Sequence, residues 1–221
     1  MLELGAGYGR WTSRAALAAF QLQKEVRLGL AEPDPKHKMW LKQCMEDNGI
    51  SLGSYKVFGD AIGGKRGECI FIVELPESSR TKNWFGQAIA RPENGKLNTA
   101  EELYYGVPKM REVDGAGYIK VRQIVFSDVL QEYDDVDIVD MDIQGAEADA
   151  IEEGITLCTQ KVRRLHIGTH GHDIEARLRL ILNNSGWICL RDYPCGQTNE
   201  TEFGPISFTD GVQSWINPKL M

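Results

Sequence analysis

The feature that most constrains the fold is a glycine-rich turn close to the start of the chain. Residues 2–4 are mostly apolar, residues 5–9 are Gly-Ala-Gly-Tyr-Gly, and residues 11–23 are rich in Ala and Leu at helical spacing. A strand that leads through a glycine turn into a helix lets the backbone approach a ligand closely and directs helix N–H groups toward it. The pattern predicts an α/β protein with a site for a ligand that has an anionic end.

Further strands and helices alternate after this turn. Residues 26–31 form a second apolar run, and Asp34 with Pro35 is typical of an N-cap and first position of a helix. Residues 55–58 predict a third strand, and residues 68–75 form another β-rich run. Strands that alternate with helices imply a parallel sheet with right-handed crossovers.

The second half of the chain continues this alternation. Its pattern predicts strands over 118–124, 136–142, 162–169, 187–190 and 206–208, and helices over 127–131 (capped by Ser127), 146–153 and 174–184.

Residues 76–117 lack periodicity and are rich in Gly, Pro, Asn and Ser. We interpret them as an insertion that is a lid or binding element, or that contains short strands which the pattern does not reveal. The segment contains four aromatic residues, Trp84, Phe85, Tyr104 and Tyr105. Such residues can form the wall of a substrate pocket or, more commonly, a small core of the insertion itself.

Length and composition limit the class of protein. A chain of 221 residues suits a single α/β domain over 1–221. The net charge of −7 repels phosphate backbones, so no nucleic-acid partner is expected. No apolar run is long enough for a membrane span and no signal peptide precedes the first strand, so we expect a cytoplasmic protein without membrane association. Five cysteines without a C-x-x-C pair indicate reduced thiols.

The spacing of the glycines distinguishes two ligand classes that use such a turn, dinucleotides and S-adenosylmethionine (SAM). The dinucleotide pattern G-x-G-x-x-G needs a glycine where Arg10 stands, whereas Gly5, Gly7 and Gly9 give G-x-G-x-G. This spacing favours SAM, bound through its carboxylate. Glu32 ends the second strand on the same sheet edge, where a carboxylate can accept hydrogen bonds from both ribose hydroxyls.

Four segments resemble the FkbM-type SAM-dependent methyltransferases, which belong to the Rossmann-like methyltransferases. These are residues 2–9 (LELGAGYG), 32–35 (EPDP), 137–147 (DIVDMDIQGAE) and His170 at the end of the following strand. The D-x-Q-G-A-E element is the most specific of them. The resemblance implies a doubly wound, mostly parallel seven-stranded sheet of order 3-2-1-4-5-7-6 with strand 7 antiparallel, and the late strands near Trp187 and Ile206 would supply strands 6 and 7.

The resemblance also implies which residues bind the cofactor. Glu3 and the turn would hold the methionine part, Glu32 the ribose and Asp60 the adenine, although a loop-capping role for Asp60 is nearly as common. The expected cofactor-binding residues are Glu3, Gly5, Ala6, Gly7, Tyr8, Gly9, Glu32, Pro33, Asp60 and Ala61.

The chain departs from the family pattern in three places. Asp140 stands where the family often has Lys, and Gly168 where an acid often precedes the closing His. Both lie where the methyl acceptor would bind, so the acceptor site is expected to be unusual. Family members usually carry residues before the first strand that help to cover the cofactor, so we expect a truncated N-terminus.

Methyl transfer to a hydroxyl needs a base, and three residues are candidates. Asp142 ends the fourth strand of the parallel sheet and His170 the fifth, while Glu147 lies one helical turn further. Asp140, Asp142 and His170 could also hold a divalent metal, a less favoured interpretation because Asp140 could instead pair with a neighbour such as His166. His37 is expected at the surface of the second helix, and His172 at a helix start.

The sequence thus predicts a SAM-dependent methyltransferase that O-methylates a small molecule such as a sugar or a secondary metabolite. One alternative is a nicotinamide-dependent (NAD or NADP) oxidoreductase, disfavoured by Arg10. Another is a non-catalytic SAM-binding or scaffold protein, suggested by the early start of the chain and by Asp140 and Gly168. The acceptor and the oligomeric state stay open.

Overall fold

The structure is a computed structural model that describes residues 1–75, 87–90, 98–111 and 115–221. Trp84 and Phe85 of the predicted insertion lie outside these residues. None of the helices within the described ranges is long and apolar enough to span a membrane. The helices are α1 Arg10–Gln21, α2 Pro35–Asp47, α3 Phe126–Gln131, α4 Glu147–Lys161 and α5 His172–Asn184.

The strands of the described residues are short and belong to three sheets. They are β1 Leu2–Leu4, β2 Leu28–Ala31, β3 Tyr55–Phe58, β4 Ala61–Gly63, β5 Gly67–Glu74, β6 Ile89–Ala90, β7 Asn98–Tyr104, β8 Val107–Arg111, β9 Gly117–Val125, β10 Val139–Met141, β11 Arg164–Thr169, β12 Ile188–Tyr193, β13 Gln197–Thr201, β14 Gly204–Phe208 and β15 Gly211–Ile216.

The largest sheet has seven strands in the order β12-β15-β11-β10-β1-β2-β3. The pairs from β3 to β11 are parallel, whereas β15 is antiparallel to both β11 and β12. Counted along the chain, this is the order 3-2-1-4-5-7-6 with an antiparallel seventh strand, as the resemblance implied. The carboxyl ends of β1, β2, β3 and β10 therefore lie at one edge of the sheet, where ligands of such sheets bind.

The last strand of this sheet is not the one that the sequence predicted. Residues 206–208 belong to β14, which pairs with β13 in a separate hairpin, and β15 is the seventh strand. Ile206 is 40% exposed, whereas Trp215 of β15 is buried. The pattern concealed β15 because Gln213 and Ser214 interrupt its apolar residues.

A second, mainly antiparallel sheet contains the β-rich run and part of the predicted insertion. Its strands lie in the order β6-β5-β9-β8-β7, and β4 pairs with β9. The run at 68–75 forms β5 in this sheet, next to β9. Within 76–117, β6, β7 and β8 are short strands, which was one of the two interpretations of this segment.

The helix boundaries follow the expected caps in one case and not in another. Asp34 accepts a hydrogen bond from the Lys36 N–H at 2.8 Å and Pro35 is the first residue of α2, as predicted. Ser127 does not cap α3, because the helix starts at Phe126 and the Ser127 hydroxyl donates to Glu153 instead. Helix α4 extends to Lys161, well beyond the predicted end near residue 153.

The central strands are buried throughout. Every residue of β1 and β10 is buried, and Leu2, Leu4, Val139 and Met141 are core residues. An uncompensated buried charge destabilises the fold, so a buried acid in these strands must be hydrogen-bonded, paired or neutral. Glu3 and Asp140, paired in register between the two strands, are such acids.

Helix α5 offers a matched test of this packing. Leu178 is fully buried in the main core, while Leu180 of the same helix is 63% exposed. We expect Leu178→Ala to lower the free energy of unfolding by about 2–5 kcal/mol. Leu180→Ala should change it by less than about 0.5 kcal/mol. Urea unfolding followed by circular dichroism measures both, and equal losses would contradict the orientation of α5.

Candidate functional site

A cavity of about 330 Å³ opens at the carboxyl edge of the main sheet. Its wall combines the glycine turn, the ends of β2 and β3, and the loop after β10, so the segments singled out in the sequence meet here. Of the residues expected to bind cofactor or acceptor, those in the wall are Glu3, Gly5, Ala6, Gly7, Tyr8, Glu32, Pro33, Asp60, Ala61, Asp140 and Asp142. Gly9, Glu147 and His170 are not part of the described wall.

The glycine turn has a conformation that other residues would strain. Gly5, Gly7 and Gly9 have φ angles of 81°, 54° and 79°. A Cβ atom on Gly5 would lie 1.8 Å from the backbone oxygen of Asp142, so only glycine lets β1 turn against the end of β10. A Cβ on Gly7 would meet nothing within 4 Å, and Gly7 lies in the cavity wall, so the middle of the turn is not crowded by other residues.

Glu3 holds the first turn of α1. Its carboxylate is buried and accepts hydrogen bonds from the backbone N–H groups of Trp11 at 3.2 Å and Thr12 at 2.8 Å. Burial raises the pKa of Glu3, although these hydrogen bonds oppose the shift. Glu3 therefore fixes the start of the helix relative to β1, and its part in binding a cofactor stays a prediction.

Glu32 is placed to join the turn to the end of β2. Its Oε2 accepts from the Gly7 N–H at 2.7 Å, and its Oε1 accepts from the Asp34 N–H at 2.8 Å. Each carboxylate oxygen can accept a second hydrogen bond. Glu32 is buried at the cavity wall. It can therefore hold the shape of the turn and also accept hydrogen bonds from hydroxyl groups of a ligand.

His37 does not lie at the surface, which corrects the prediction. It is buried at the cavity wall, stacks on Trp40, and places its Nδ1 3.8 Å from Oε1 of Glu32. Burial lowers the pKa of His37, but hydrogen bonding and the negative charge of Glu32 outweigh it and raise the pKa overall. Helical spacing alone gave no sign of this contact.

Asp60 is engaged by an arginine of the second sheet. Both of its carboxylate oxygens accept from Arg122, at 2.7 and 2.6 Å. The next residue, Ala61, is buried and starts β4. The end of β3 is therefore tied to β9, and Asp60 lies in the cavity wall with one strong partner for its carboxylate already in place.

The loop after β10 is organised by a buried acid. Glu147 accepts hydrogen bonds from the backbone N–H groups of Ile143 and Gly145, each at 3.1 Å. Gln144 has a positive φ of 54°, and its side-chain amide donates to Oδ1 of Asp142 at 2.7 Å. Glu147 is fully buried and is not part of the described cavity wall, so it positions the loop, and its role as a base stays a prediction.

His170 links this acid to Asp142. Its Nδ1 lies 2.9 Å from Oε1 of Glu147, and its Nε2 lies 3.3 Å from Oδ1 of Asp142. Burial lowers the pKa of His170, but the hydrogen bond to Glu147 and the charges of Glu147 and Asp142 raise it overall. The three side chains form a chain from a buried carboxylate to the half-exposed carboxylate of Asp142 at the cavity.

Comparison with known proteins identifies the family. The sequence profile described as the methyltransferase FkbM domain matches residues 3–184. The chain belongs to the FkbM family of methyltransferases. The prediction of an FkbM-type methyltransferase is confirmed.

Two similar proteins agree with this result. A protein of Jannaschia sp. (strain CCS1), whose assignment as a methyltransferase is provisional, is 25% identical over all 221 residues and over 73% of its own length. The crystal structure of the methyltransferase FkbM from Methylobacillus flagellatus KT superposes with a TM-score of 0.54 at 14% identity, over 98% of this chain and 42% of that one. The second likeness shows the fold alone.

FkbM methyltransferases imply SAM as methyl donor, and the chemistry of this cavity fits that cofactor. The cofactor carries a carboxylate, two ribose hydroxyls and an adenine ring. The cavity presents an open glycine turn at a helix start, a buried carboxylate at Glu32, and apolar side chains of Ile62, Phe71 and Ile89. Phe71 and Ile89 come from the second sheet, so this sheet completes the cavity of the methyltransferase.

The metal candidates do not come together as proposed. Asp142 and His170 lie close to Glu147, whereas Asp140 is not part of this group. Burial, and then the charges of Glu3 and Asp142, raise the pKa of Asp140 to about 7. His166 does not pair with Asp140 either, because its Nδ1 contacts the Ser214 hydroxyl at 2.9 Å. Asp142, Glu147 and His170 do lie close enough together to share an ion, so a metal at this position stays a prediction.

Aromatic residues contribute to the site in an unexpected way. Tyr104 is buried in the core of the second sheet, and its hydroxyl donates to Oδ2 of Asp34 at 3.2 Å. Tyr105 packs edge-on against it and is half exposed. Trp11, which the sequence analysis did not single out, is 46% exposed and lies in the cavity wall. Its place two residues after the last glycine of the turn was a signal that could have identified it.

The carboxylates of Glu147 and Asp142 flank the ring of His170, so its pKa should differ from that of an ordinary histidine. We expect the folded-state pKa of His170 to lie above the ordinary value of about 6.5, whereas burial lowers the pKa of His166 below it. Protonated His170 therefore stabilises the fold fully below its unfolded pKa, and this contribution disappears as the pH rises through its folded pKa. NMR titration of the imidazole resonances measures both values.

Glu147→Gln tests the cause of this shift. The amide oxygen can still accept from the loop N–H groups, but the charge is gone, so the pKa of His170 should fall while that of His166 stays unchanged. Asp142→Asn should cause a smaller fall and serves if the buried variant does not fold. An unchanged pKa of His170 in both variants would disprove the linkage.

Proposed function

We propose that this FkbM methyltransferase binds SAM in the cavity and transfers the methyl group to a hydroxyl of a polar small molecule such as a sugar. The observation that carries the proposal is the meeting of the glycine turn, the Glu32 carboxylate and the Asp142 carboxylate at one cavity. The first two suit the donor, and the third suits an acceptor that must lose a proton. A hydroxyl is such an acceptor.

The donor half of the site is assigned to the first three strands. The methionine carboxylate would face the glycine turn and the start of α1, where helix N–H groups attract anions. The ribose hydroxyls would donate to Glu32. The adenine would lie between the ends of β2 and β3 and the second sheet, with Asp60 and Ala61 at its edge and Phe71 on its face.

The acceptor half is assigned to the loop after β10. SAM supplies an activated methyl group when bound, so the chain must mainly align the acceptor oxygen and accept its proton. Oδ1 of Asp142 already contacts Gln144 and His170, which leaves Oδ2 to accept the hydrogen of the hydroxyl. His170 and Glu147 are positioning residues, because they hold Asp142 and its loop in place.

The wall near Asp142 supports a polar acceptor. Asp142, Gln144 and Asp210 line the same cavity, and Trp11 adds an exposed aromatic surface. Sugars combine hydroxyl groups with an apolar ring face, which packs on such an aromatic side chain. A small carbohydrate therefore fits the chemistry of the wall better than a purely apolar acceptor.

The assignment of Glu32 to the ribose predicts a loss of affinity. Glu32→Ala should weaken binding of SAM and S-adenosylhomocysteine by about 1.5–3 kcal/mol, because charge-assisted hydrogen bonds are lost. Calorimetry measures the affinity, and Glu46→Gln on the exposed side of α2 is the matched control. Glu32 holds Gly7 through one oxygen and Asp34 through the other, and Glu32→Gln would keep only one of these acceptors. Circular dichroism must therefore show that the Glu32→Ala variant is folded before the affinities are compared.

Two results would contradict this assignment. Unchanged SAM affinity in a folded Glu32→Ala variant would remove Glu32 from the ribose. Binding of NAD to the wild type, in competition with SAM, would instead support the oxidoreductase alternative.

The assignment of Asp142 predicts a loss of turnover with the cofactor still bound. Asp142→Asn keeps the shape of the side chain but removes the charge, so the rate should fall by about 10²–10⁴. The SAM affinity should change little, because its contacts come from other strands. The initial rate on any acceptor that the wild type methylates and calorimetric SAM affinity are measured together, with Asp134→Asn at the exposed turn before β10 as control.

Each alternative outcome has its own meaning. A near-normal rate in Asp142→Asn would exclude Asp142 as the base and leave His170 as the candidate for that role. Loss of both SAM binding and rate would mean that Asp142 is structural.

A further inference from the structure

A second cluster of ligand-type side chains lies beyond the cavity, at the end of β11 and the start of α5. His172, Glu175 and Cys195 place a ring nitrogen, a carboxylate oxygen and a sulfur within 4.8 Å of one another. His172 and Glu175 face the same side of α5, and Cys195 follows β12. Nitrogen, sulfur and carboxylate oxygen are the donor atoms that zinc prefers in proteins.

Two of the three spacings in this cluster match a tetrahedral site, and the third is within 4.8 Å. Nδ1 of His172 lies 3.1 Å from Oε2 of Glu175 and 3.7 Å from Sγ of Cys195. Ligands at the usual zinc distances, in tetrahedral arrangement, are about 3.3 Å apart for nitrogen and oxygen and about 3.6 Å apart for nitrogen and sulfur. A zinc ion can therefore enter the triangle with only small movements of the side chains.

The carboxylate of the cluster is fixed by its surroundings. Oε1 of Glu175 accepts from the Cys195 N–H at 2.7 Å and from the Thr169 hydroxyl at 3.1 Å. These donors leave Oε2 turned toward His172. Hydrogen bonds to the non-coordinating atoms of a ligand are typical of metal sites, because they orient the ligand before the ion arrives.

The charges around the cluster allow a cation. Arg179 lies 3.7 Å from Oε2 of Glu175, but its guanidinium is held by the carboxylate of Asp192 at 2.6 and 2.8 Å. Burial, and then the negative charges of Glu175 and Asp210, raise the pKa of the Cys195 thiol. Zinc therefore has to displace the thiol proton when it binds. The exposed side chain of His172 gives an ion access from solvent.

We propose that His172, Glu175 and Cys195 form a zinc-binding site with solvent as the fourth ligand. Three protein ligands leave one position open, as in zinc sites that also bind a small molecule. The site is separate from the Asp142–His170–Glu147 chain, and it does not depend on the function proposed for the cavity.

The test measures metal binding without any assay of methyl transfer. Purified chain is stripped with chelator and titrated with Zn²⁺ by calorimetry, and with Co²⁺ as a spectroscopic probe of the same site. One equivalent of Zn²⁺ should bind, and Co²⁺ should give a near-ultraviolet thiolate charge-transfer band with the visible bands of tetrahedral cobalt. Absence of saturable binding would overturn the proposal.

Variants assign the ligands. Cys195→Ser should abolish the charge-transfer band, and Cys195→Ser and His172→Ala should each weaken Zn²⁺ binding by more than the roughly 10–100-fold that follows loss of a supporting residue. Cys189→Ser, at another partly exposed cysteine, and Asp142→Asn, in the other cluster, should leave binding unchanged. Binding that survives Cys195→Ser, or that is lost in Asp142→Asn with circular dichroism unchanged, would place the ion elsewhere.

Discussion

The close approach of Gly5 to the end of β10 is the constraint on which the site depends. The Asp142 N–H donates to the Leu4 carbonyl at 2.8 Å, and the Asp142 carbonyl occupies the space where a side chain on residue 5 would begin. One contact thus sets the distance between the glycine turn, proposed to hold the donor, and the carboxylate proposed to receive the acceptor proton. In-line transfer tolerates little error in that distance, so a substitution at Gly5 would disturb both halves of the site together.

Buried acids maintain this geometry, each in a different way. Glu3 binds the start of α1, Glu32 binds the turn, and Glu147 binds the loop that carries Asp142. In all three cases the carboxylate accepts from backbone N–H groups, which compensates for the loss of water. Asp140 is the exception, because no hydrogen-bond donor within the described residues reaches it, and its pKa is raised to about 7. A group that protonates near neutral pH relieves the repulsion between neighbouring acids at the cavity.

The sequence predicted the parts of the site that are local in the chain. The turn at residues 5–9 and the acid at Glu32 each occupy a few consecutive residues, so spacing and residue type indicated them. The loop before Glu147 was indicated by the D-x-Q-G-A-E resemblance. The seventh strand and the burial of His37 depend instead on distant partners. The Gln213 amide of β15 donates to Glu175 and Asp192, which are 38 and 21 residues away in the sequence. A buried glutamine looks like a surface residue until those partners are known. The second sheet was missed for the same reason, because its strands pair across segments that lack periodicity.

The end of β11 shows how one strand serves two clusters. His170 turns toward Asp142 and Glu147, whereas His172, beyond the extended Gly171, turns toward Glu175 and Cys195. Asp210 connects them electrostatically, since its charge acts on both His170 and Cys195 and its side chain also lines the cavity. A cation at the second cluster would offset part of that charge. Because the charge of Asp210 also acts on Asp142, this offset would reach the carboxylate at the cavity through space.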